Sequence, residues 1–293
     1  MKPPRFDYAR PDSLAGAIAL LAAHNGDAKV IAGGQSLMPM LNFRLTSPRL
    51  LVDIARIADL NHISAGADGV RLGALVRWRD IERHPTLAKL HPLLVEATSH
   101  VAHYQIRNRG TVGGSLAHAD PAAEMPGIAI ACDAQIIVVG RAGQRTIPAA
   151  DFFVGALMTA LEPDEVIVEV RLPPWPGERH FAFEEFSRRK GDFALAGVAV
   201  FYDLDGQGRV IDPHIGAIGV TSRPVRLNAA EAALAGRAVD EAAILAVAAL
   251  ADDGLDVAED IHAPADYRRA LLQVLLERAL RRAARLPDAE QTQ

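Results

Sequence analysis

The chain has a single cysteine, Cys132, among 293 residues. One thiol cannot close an internal disulfide, and alone it cannot hold an iron–sulfur cluster or a cysteine-rich zinc site. Cys132 follows the apolar run Gly127-Ile128-Ala129-Ile130-Ala131 and reads as a buried structural thiol. A basic excess is also missing. Lys and Arg number 31 against 36 Asp and Glu, giving a net charge of −5, and the cations are scattered rather than striped. Nucleic acid is therefore not an expected partner. No apolar stretch reaches the ~18 residues of a spanning helix. The opening Met1-Lys2-Pro3-Pro4-Arg5-Phe6-Asp7 lacks the apolar segment of a secretion signal. A cytoplasmic protein with no membrane span is the expectation. The chain shows neither an internal repeat nor a low-complexity tract.

Half of the residues are hydrophobic, enough for a substantial core in one to three domains. The first stretch alternates strand and helix signals. Phe6-Asp7-Tyr8 reads as a short strand. Pro11-Asp12-Ser13 starts a helix with Leu14, Ala17, Ile18 and Leu21 on one face, and Asn25-Gly26-Asp27 ends it. Lys29-Val30-Ile31 and Leu50 to Ile54 read as strands, a βαβ-like order that predicts a small α/β subdomain. Further on, strands are predicted at Val70-Arg71-Leu72, Gln135 to Val139 and Glu165 to Val170, and helices at Leu93 to Val101 and Met125 to Ala131. Pro173-Pro174-Trp175-Pro176-Gly177 is the strongest break, since stacked prolines fit neither a helix nor a central strand. Beyond it, strands are predicted over Phe181 to Phe186, Ala194 to Tyr202 and Val210 to Val220, with a hairpin turn at Asp205-Gly206-Gln207-Gly208. Helices follow at Asn228 to Ala235, Glu241 to Ala251 and Pro264 to Arg285, and Pro287 to Gln293 reads as a frayed tail. The whole is an α+β chain. Its expected limits are a domain over 1–176, with subdomains of about 1–56 and 57–176, and a C-terminal α+β domain over 177–286.

Two glycine-rich loops carry the chemistry. The first is Ala32-Gly33-Gly34-Gln35-Ser36 after the strand Lys29-Val30-Ile31, and the second is Thr111-Val112-Gly113-Gly114-Ser115. Paired glycines let backbone approach a ligand closely, and successive N–H groups can cradle an anion. Ser36, Thr111 and Ser115 add hydroxyls. Two such loops are suited to grip the two phosphates of one dinucleotide. Neither is a Walker A loop, and neither fits Gly-x-Gly-x-x-Gly.

The flanks narrow the reading. The first loop continues as Leu37-Met38-Pro39-Met40-Leu41-Asn42-Phe43-Arg44-Leu45. The second continues as Leu116-Ala117-His118-Ala119-Asp120-Pro121-Ala122-Ala123-Glu124-Met125-Pro126. Together with the Phe6-Asp7-Tyr8 opening and Arg188-Arg189-Lys190-Gly191-Asp192-Phe193-Ala194, these motifs resemble the FAD-binding medium subunit of the molybdenum hydroxylases. That family includes carbon monoxide dehydrogenase, N-heteroaromatic hydroxylases and, as a fused domain, xanthine dehydrogenase. The resemblance covers nearly the whole chain. Gln35 stands where many relatives have His, and Glu124 where many have Asp.

The resemblance implies an N-terminal FAD domain of two subdomains, similar to flavoproteins of the vanillyl-alcohol-oxidase (PCMH) type, and a smaller α+β domain. It implies that Ala32, Gly33, Gly34, Gln35, Ser36 and Leu37, with Thr111, Gly113, Gly114 and Ser115, hold the FAD pyrophosphate and ribityl region. Asp120 and Glu124 fall in the extension of the second motif. A carboxylate there can accept from ribityl or ribose hydroxyls, or can simply favour the start of a helix. Lys190 is expected near the flavin, or in a solvated cationic run. Phe193 is expected over the isoalloxazine ring, or in the core. His100, His103 and His118 have no metal-ligand spacing, and no metal is expected. Met38, Met40 and Met125 read as core fillers, and the arginine-rich Arg268 to Arg285 segment as a packed amphipathic helix.

The implied partners are a large molybdopterin-binding subunit and a small subunit with two [2Fe–2S] clusters, assembled as a dimer of heterotrimers. Substrate would be hydroxylated in the large subunit, and electrons would reach FAD on this chain and then an external acceptor. The single cysteine fits that division, because the clusters cannot reside here. No catalytic acid or base is expected in the chain. Two other readings use the same loops: a stand-alone flavin oxidase of the vanillyl-alcohol-oxidase type, and a non-catalytic nucleotide-binding or assembly module. Substrate class and terminal acceptor stay open at this level.

Overall fold

The computed structural model describes residues 2–286, so the tail predicted over 287–293 lies outside them. The first layer is built from β1 (Asp7–Ala9), α1 (Leu14–Ala23), β2 (Ala28–Ile31), α2 (Leu37–Asn42) and β3 (Leu50–Asp53). Its three strands run parallel in the order β1-β3-β2. Parallel neighbours need a crossover, and α1 and α2 lie in the connections. The predicted helix start at Ser13 is present, with its Oγ accepting from the Gly16 amide at 3.2 Å. Ala17, Ile18 and Leu21 of α1 share a core with Leu50 and Val52.

The second layer begins with β4 (Ile63–Gly66) and β5 (Gly69–Gly73). Six helices follow: α3 (Trp78–Glu82), α4 (Leu87–Leu90), α5 (Pro92–His100), α6 (Tyr104–Arg107), α7 (Val112–His118) and α8 (Glu124–Ala131). Then come β6 (Gln135–Gly140), β7 (Gly143–Pro148), α9 (Ala149–Phe152), the small hairpin β8 (Phe153–Gly155) and β9 (Met158–Thr159), and β10 (Val166–Leu172). The sheet order is β4-β5-β10-β6-β7, antiparallel throughout. Val70, Leu72, Ile136, Val138 and Val170 project from it into the largest core, against α5, α7 and α8. Cys132 lies in that core, and burial pushes its thiol up to about 12, which keeps it inert.

Residues 173–177 carry no regular structure, as the prolines predict. Trp175 there packs 4.6 Å from the His91 ring and 5.2 Å from Phe201. The third layer contains β11 (His180–Phe186), β12 (Ala196–Leu204), β13 (Val210–Ile218), β14 (Val225–Arg226), α10 (Asn228–Leu234), α11 (Glu241–Ala248) and α12 (Ala265–Ala283). Its strands are antiparallel in the order β11-β12-β13-β14. Successive side chains of a strand point to opposite faces, and here both faces are used. Ala182, Val198, Val200 and Tyr202 pack with Leu272, Leu275 and Leu276 of α12. Phe183, Ala199, Phe201 and Ile218 enter the core of the second layer. The third layer is thus fused to the second through apolar contact. The predicted amphipathic character of the last helix is present, although Arg268 and Arg281 are buried with it. Among the described residues no helix is long and apolar enough to cross a membrane.

Candidate functional site

A cleft of about 890 Å³ lies where the three layers meet. It is at the large end of small-molecule sites, as an extended dinucleotide requires. Both glycine motifs line it, with Asp120, Glu124 and Phe193.

The first motif is a turn between β2 and α2. Gly34 has φ +70°, which a side chain rarely tolerates. At Gly33 an added Cβ would lie 2.1 Å from the Arg109 carbonyl oxygen. The first motif is therefore pressed directly onto the segment that leads into the second. Gln35 stabilises the turn by donating from Nε2 to the Gly33 carbonyl at 2.8 Å. Among the described residues no protein acceptor takes the amides of Gly33, Gly34, Gln35, Ser36 or Leu37. Five successive donors thus border the cleft, the arrangement that binds phosphate without a counter-charge.

The second motif departs from expectation. Val112 to Ser115 form the first turn of α7 rather than a loop, and Thr111 is its N-cap. Their amides are already used. Val112 donates to Val76 at 2.9 Å, Gly113 to Ala74 at 2.9 Å, and Ser115 to the Thr111 carbonyl at 3.0 Å. Gly114 donates to Thr111 Oγ1 at 3.1 Å. Gly113 serves packing, since a Cβ there would meet Ala74 at 2.6 Å. What this motif offers a ligand is hydroxyl chemistry: Thr111 can still donate its O–H, and Ser115 lines the cleft beside it. Thr111→Val is expected to lower stability by about 1 kcal/mol, the usual cost of a lost N-cap, while Thr111→Ser preserves it. Thermal unfolding of the two variants checks this.

The extension closes the cleft floor. Asp120 Oδ1 accepts from the Ala122 amide at 2.9 Å. Glu124 opens α8 and is only 8 % exposed, and burial pushes its carboxyl up to about 7. His118 also lines the cleft, and burial lowers its pKa against the opposing pull of Asp120. From the third layer, the turn before β12 packs Gly191 on His103 and brings Phe193, 58 % exposed, to the cleft.

Lys190 does not line the cleft. It is exposed, and its charge acts on His100, which lies edge-on to Phe183. Of the three methionines read as core fillers, Met125 is buried, Met38 packs by Gly34, and Met40 instead lines the cleft. Sequence reasoning missed the β8–β9 hairpin. Leu157 and Met158 at its tip line the cleft, and Leu157 sits at φ +57° with its amide donating to Ala119 at 3.1 Å. The signal was present in the Gly155-containing interruption between two predicted strands. Among the described residues no cluster of three His, Cys, Asp or Glu side chains is placed to hold a metal.

Residues 4–175 match the model of the FAD-binding domain in molybdopterin dehydrogenase, and residues 181–283 that of the CO dehydrogenase flavoprotein C-terminal domain. The chain belongs to this flavoprotein family. It is 43 % identical to the alpha subunit of the 6-hydroxypseudooxynicotine dehydrogenase complex of Paenarthrobacter nicotinovorans, with 97 % of this chain and 96 % of that protein covered. Carbon monoxide dehydrogenase from Hydrogenophaga pseudoflava has a chain that superposes with a TM-score of 0.94 at 41 % identity, over 98 % of this chain and all of that one. A chain of quinoline 2-oxidoreductase from Pseudomonas putida 86 superposes with a TM-score of 0.92 at 41 % identity, covering 97 % and 99 %. The expected fold class is thereby established, and so is the flavoprotein role within a molybdopterin-dependent oxidoreductase. The stand-alone oxidase reading is disfavoured.

The cleft fits FAD in its chemistry. Free amides suit the pyrophosphate, hydroxyls and carboxyls suit the sugar and ribityl groups, and apolar residues suit the rings.

Proposed function

We propose that this chain holds FAD in the cleft and works as the electron-transfer subunit of a heterotrimeric molybdenum hydroxylase. The run of five unpartnered amides from Gly33 to Leu37 carries this reading, opposite the hydroxyls of Thr111 and Ser115. On this reading the first motif binds phosphate through backbone. Ala32 leads the chain into that turn, and Gln35 keeps it in shape. The second motif, with Asp120 and Glu124, binds hydroxyls, and Phe193 covers a ring. Lys190 acts on the surrounding field rather than by contact. FAD supplies the ability to take up electrons singly and release them in pairs. The protein's own task is to bind it, orient it and restrict its contact with water.

The partners on this reading are a large molybdopterin-binding subunit and a small [2Fe–2S] subunit, in a dimer of heterotrimers that works in the cytoplasm. We place the domain limits at 1–176 and 177–286, with the subdomain division near residue 56, because the strand-free prolines and the end of β3 fall there. Apolar residues at the cleft mouth support a docked partner: Leu45 is 73 % exposed and Met158 is 61 % exposed. Clustered exposure of this kind marks interaction surfaces.

Native purification of the tagged full chain tests the reading. The expected result is a yellow preparation that brings down a molybdenum-containing large subunit and a cysteine-rich small one. Met158→Asp is expected to retain flavin absorbance and lose the small subunit. A colourless chain that takes up no added FAD would overturn the proposal.

A further inference from the structure

We infer that the open edge of β2 is the adenine subsite of the cleft: the Ala28 carbonyl and the Val30 amide read the hydrogen-bonding edge of the base, just before the run of free amides at Gly33 to Leu37. The inference rests on the FAD reading of the cleft and deepens it, since neither glycine motif includes these two residues.

The geometry begins with the pairing of β2. This strand pairs with β3 alone, in parallel register from Ala28 opposite Leu50 to Ile31 opposite Asp53. Its other edge has no strand beside it. The bonds at its two ends show which groups lie on that edge. The Asp27 carbonyl accepts from the Arg49 amide at 2.8 Å, and the Ile31 carbonyl accepts from the Ile54 amide at 3.1 Å. Asp27 and Ile31 thus direct their carbonyls toward β3. In a parallel pair alternate residues bond the neighbour, and the residues between them direct N–H and C=O to the opposite edge. Lys29 therefore shares the side of Asp27 and Ile31. The N–H and C=O of Ala28 and Val30 point away from β3, and no backbone group takes them among the described residues.

This edge faces the cleft. Ala28, Val30 and Ala32 all line it. The side chains of Ala28 and Val30 belong with Leu21 to the first-layer core, so backbone is what these residues present to a ligand. The connection from β9 to β10 closes this end. A Cβ added at Gly26, two residues before β2, would lie 3.9 Å from the Pro163 Cβ, and Leu161 and Pro163 both line the cleft. The result is a slot with apolar walls and free polar groups along one edge, which suits a planar heteroaromatic base. Val30 stands three residues before Gly33, about 10 Å along an extended strand. That leaves room for a ribose between a base at Val30 and a phosphate at the free amides.

On one edge of an extended chain, the carbonyl of a residue and the amide two residues on lie side by side, an acceptor beside a donor. Adenine carries the complement: its 6-amino N–H donates and its ring N1 accepts. The Ala28 carbonyl accepts from the amino group, and the Val30 amide donates to N1. A partner strand is the other group that pairs with a free edge. The four-residue length of β2 and the wall at Leu161 and Pro163 favour a small planar ligand instead.

Titration of the flavin-free full chain with FAD and with flavin hypoxanthine dinucleotide, followed by flavin fluorescence, tests this. Hypoxanthine has a carbonyl in place of the amino group and a hydrogen on N1. Both hydrogen bonds lose their complement, while ring size and the rest of the dinucleotide are unchanged. Wild type is expected to bind FAD about a hundredfold more tightly, about tenfold for each bond. Val30→Pro removes the amide and is tolerated on an open edge, where no ladder bond is lost. It should bind FAD about tenfold more weakly than wild type and prefer FAD only about tenfold. Val30→Ala keeps the amide and should keep the full preference. Equal affinity of wild type for the two dinucleotides overturns the subsite, whether or not Val30→Pro folds, and leaves the FAD cleft standing. An undiminished preference in folded Val30→Pro overturns it as well. Wild type that binds neither dinucleotide overturns the cleft reading and, with it, this subsite.

Discussion

Gly33→Val is expected to yield a chain without flavin absorbance and with a clearly lowered unfolding temperature. The cause is steric and lies in the protein itself. A Cβ at Gly33 would sit 2.1 Å from the Arg109 oxygen and 2.8 Å from its carbonyl carbon. Those atoms are backbone, held by the Gly110 and Arg109 amides donating to Ile106 at 2.7 and 3.0 Å. They cannot swing aside as a flexible side chain does. Overpacking of this kind costs about 1–3 kcal/mol, and more when backbone is the obstacle. Relief requires the first motif to lift away from the second, which separates the amides that border the cleft from Thr111 and Ser115.

Gly114→Ala is the informative contrast. Its Cβ would meet only Thr111 Oγ1, at 2.8 Å. The expected loss is the N-cap bond, about 1 kcal/mol, with flavin retained at reduced affinity. The ratio of flavin to protein absorbance, read beside thermal unfolding, separates the two outcomes. If Gly33→Val kept stoichiometric flavin, the packing of the two motifs would not govern the site.

That contrast shows how far the residues could be read from their order alone. Strong periodic segments and Pro or Gly punctuation placed α1, α5, α8, α12 and the long strands β6, β10, β11, β12 and β13 close to their actual limits. The motifs pointed to the cleft. The sequence could not say why each glycine is there. Gly33 answers to Arg109 and Gly113 to Ala74, contacts set by tertiary packing. The second motif reads as a loop because two adjacent glycines are poor helix formers, yet Thr111 caps it and Val76 and Ala74 take its first amides. Short elements escaped for a related reason. α2 spans six residues with Pro39 inside it, and β9 spans two, so neither has room for a period.

Arg268→Met is expected to destabilise the chain by about 1–3 kcal/mol, the usual cost of leaving buried acceptors without their donor, and to weaken FAD binding although Arg268 lies on α12. Arg268 is 5 % exposed. Nη1 donates to the carbonyls of Leu195 at 2.6 Å and Gly219 at 2.5 Å, and Nη2 pairs with Asp260 at 2.8 Å. The two carbonyl bonds lead toward the cleft. Leu195 is two residues beyond Phe193, in the segment that enters β12. The Gly219 amide donates to the Pro121 carbonyl at 2.9 Å, beside Asp120 in the second motif's extension. Methionine fills the space but donates nothing, so the carbonyls of Leu195 and Gly219 lose this donor, while Asp260 loses its cation but keeps the His262 and Ala263 amides. The turn carrying Phe193 and the strand end holding Pro121 are then free to drift apart. Chemical denaturation should show the stability loss. FAD titration under conditions where the variant is still folded should show weaker binding. Unchanged FAD affinity in a destabilised but folded variant would confine Arg268 to the C-terminal core and remove it from any part in shaping the cleft.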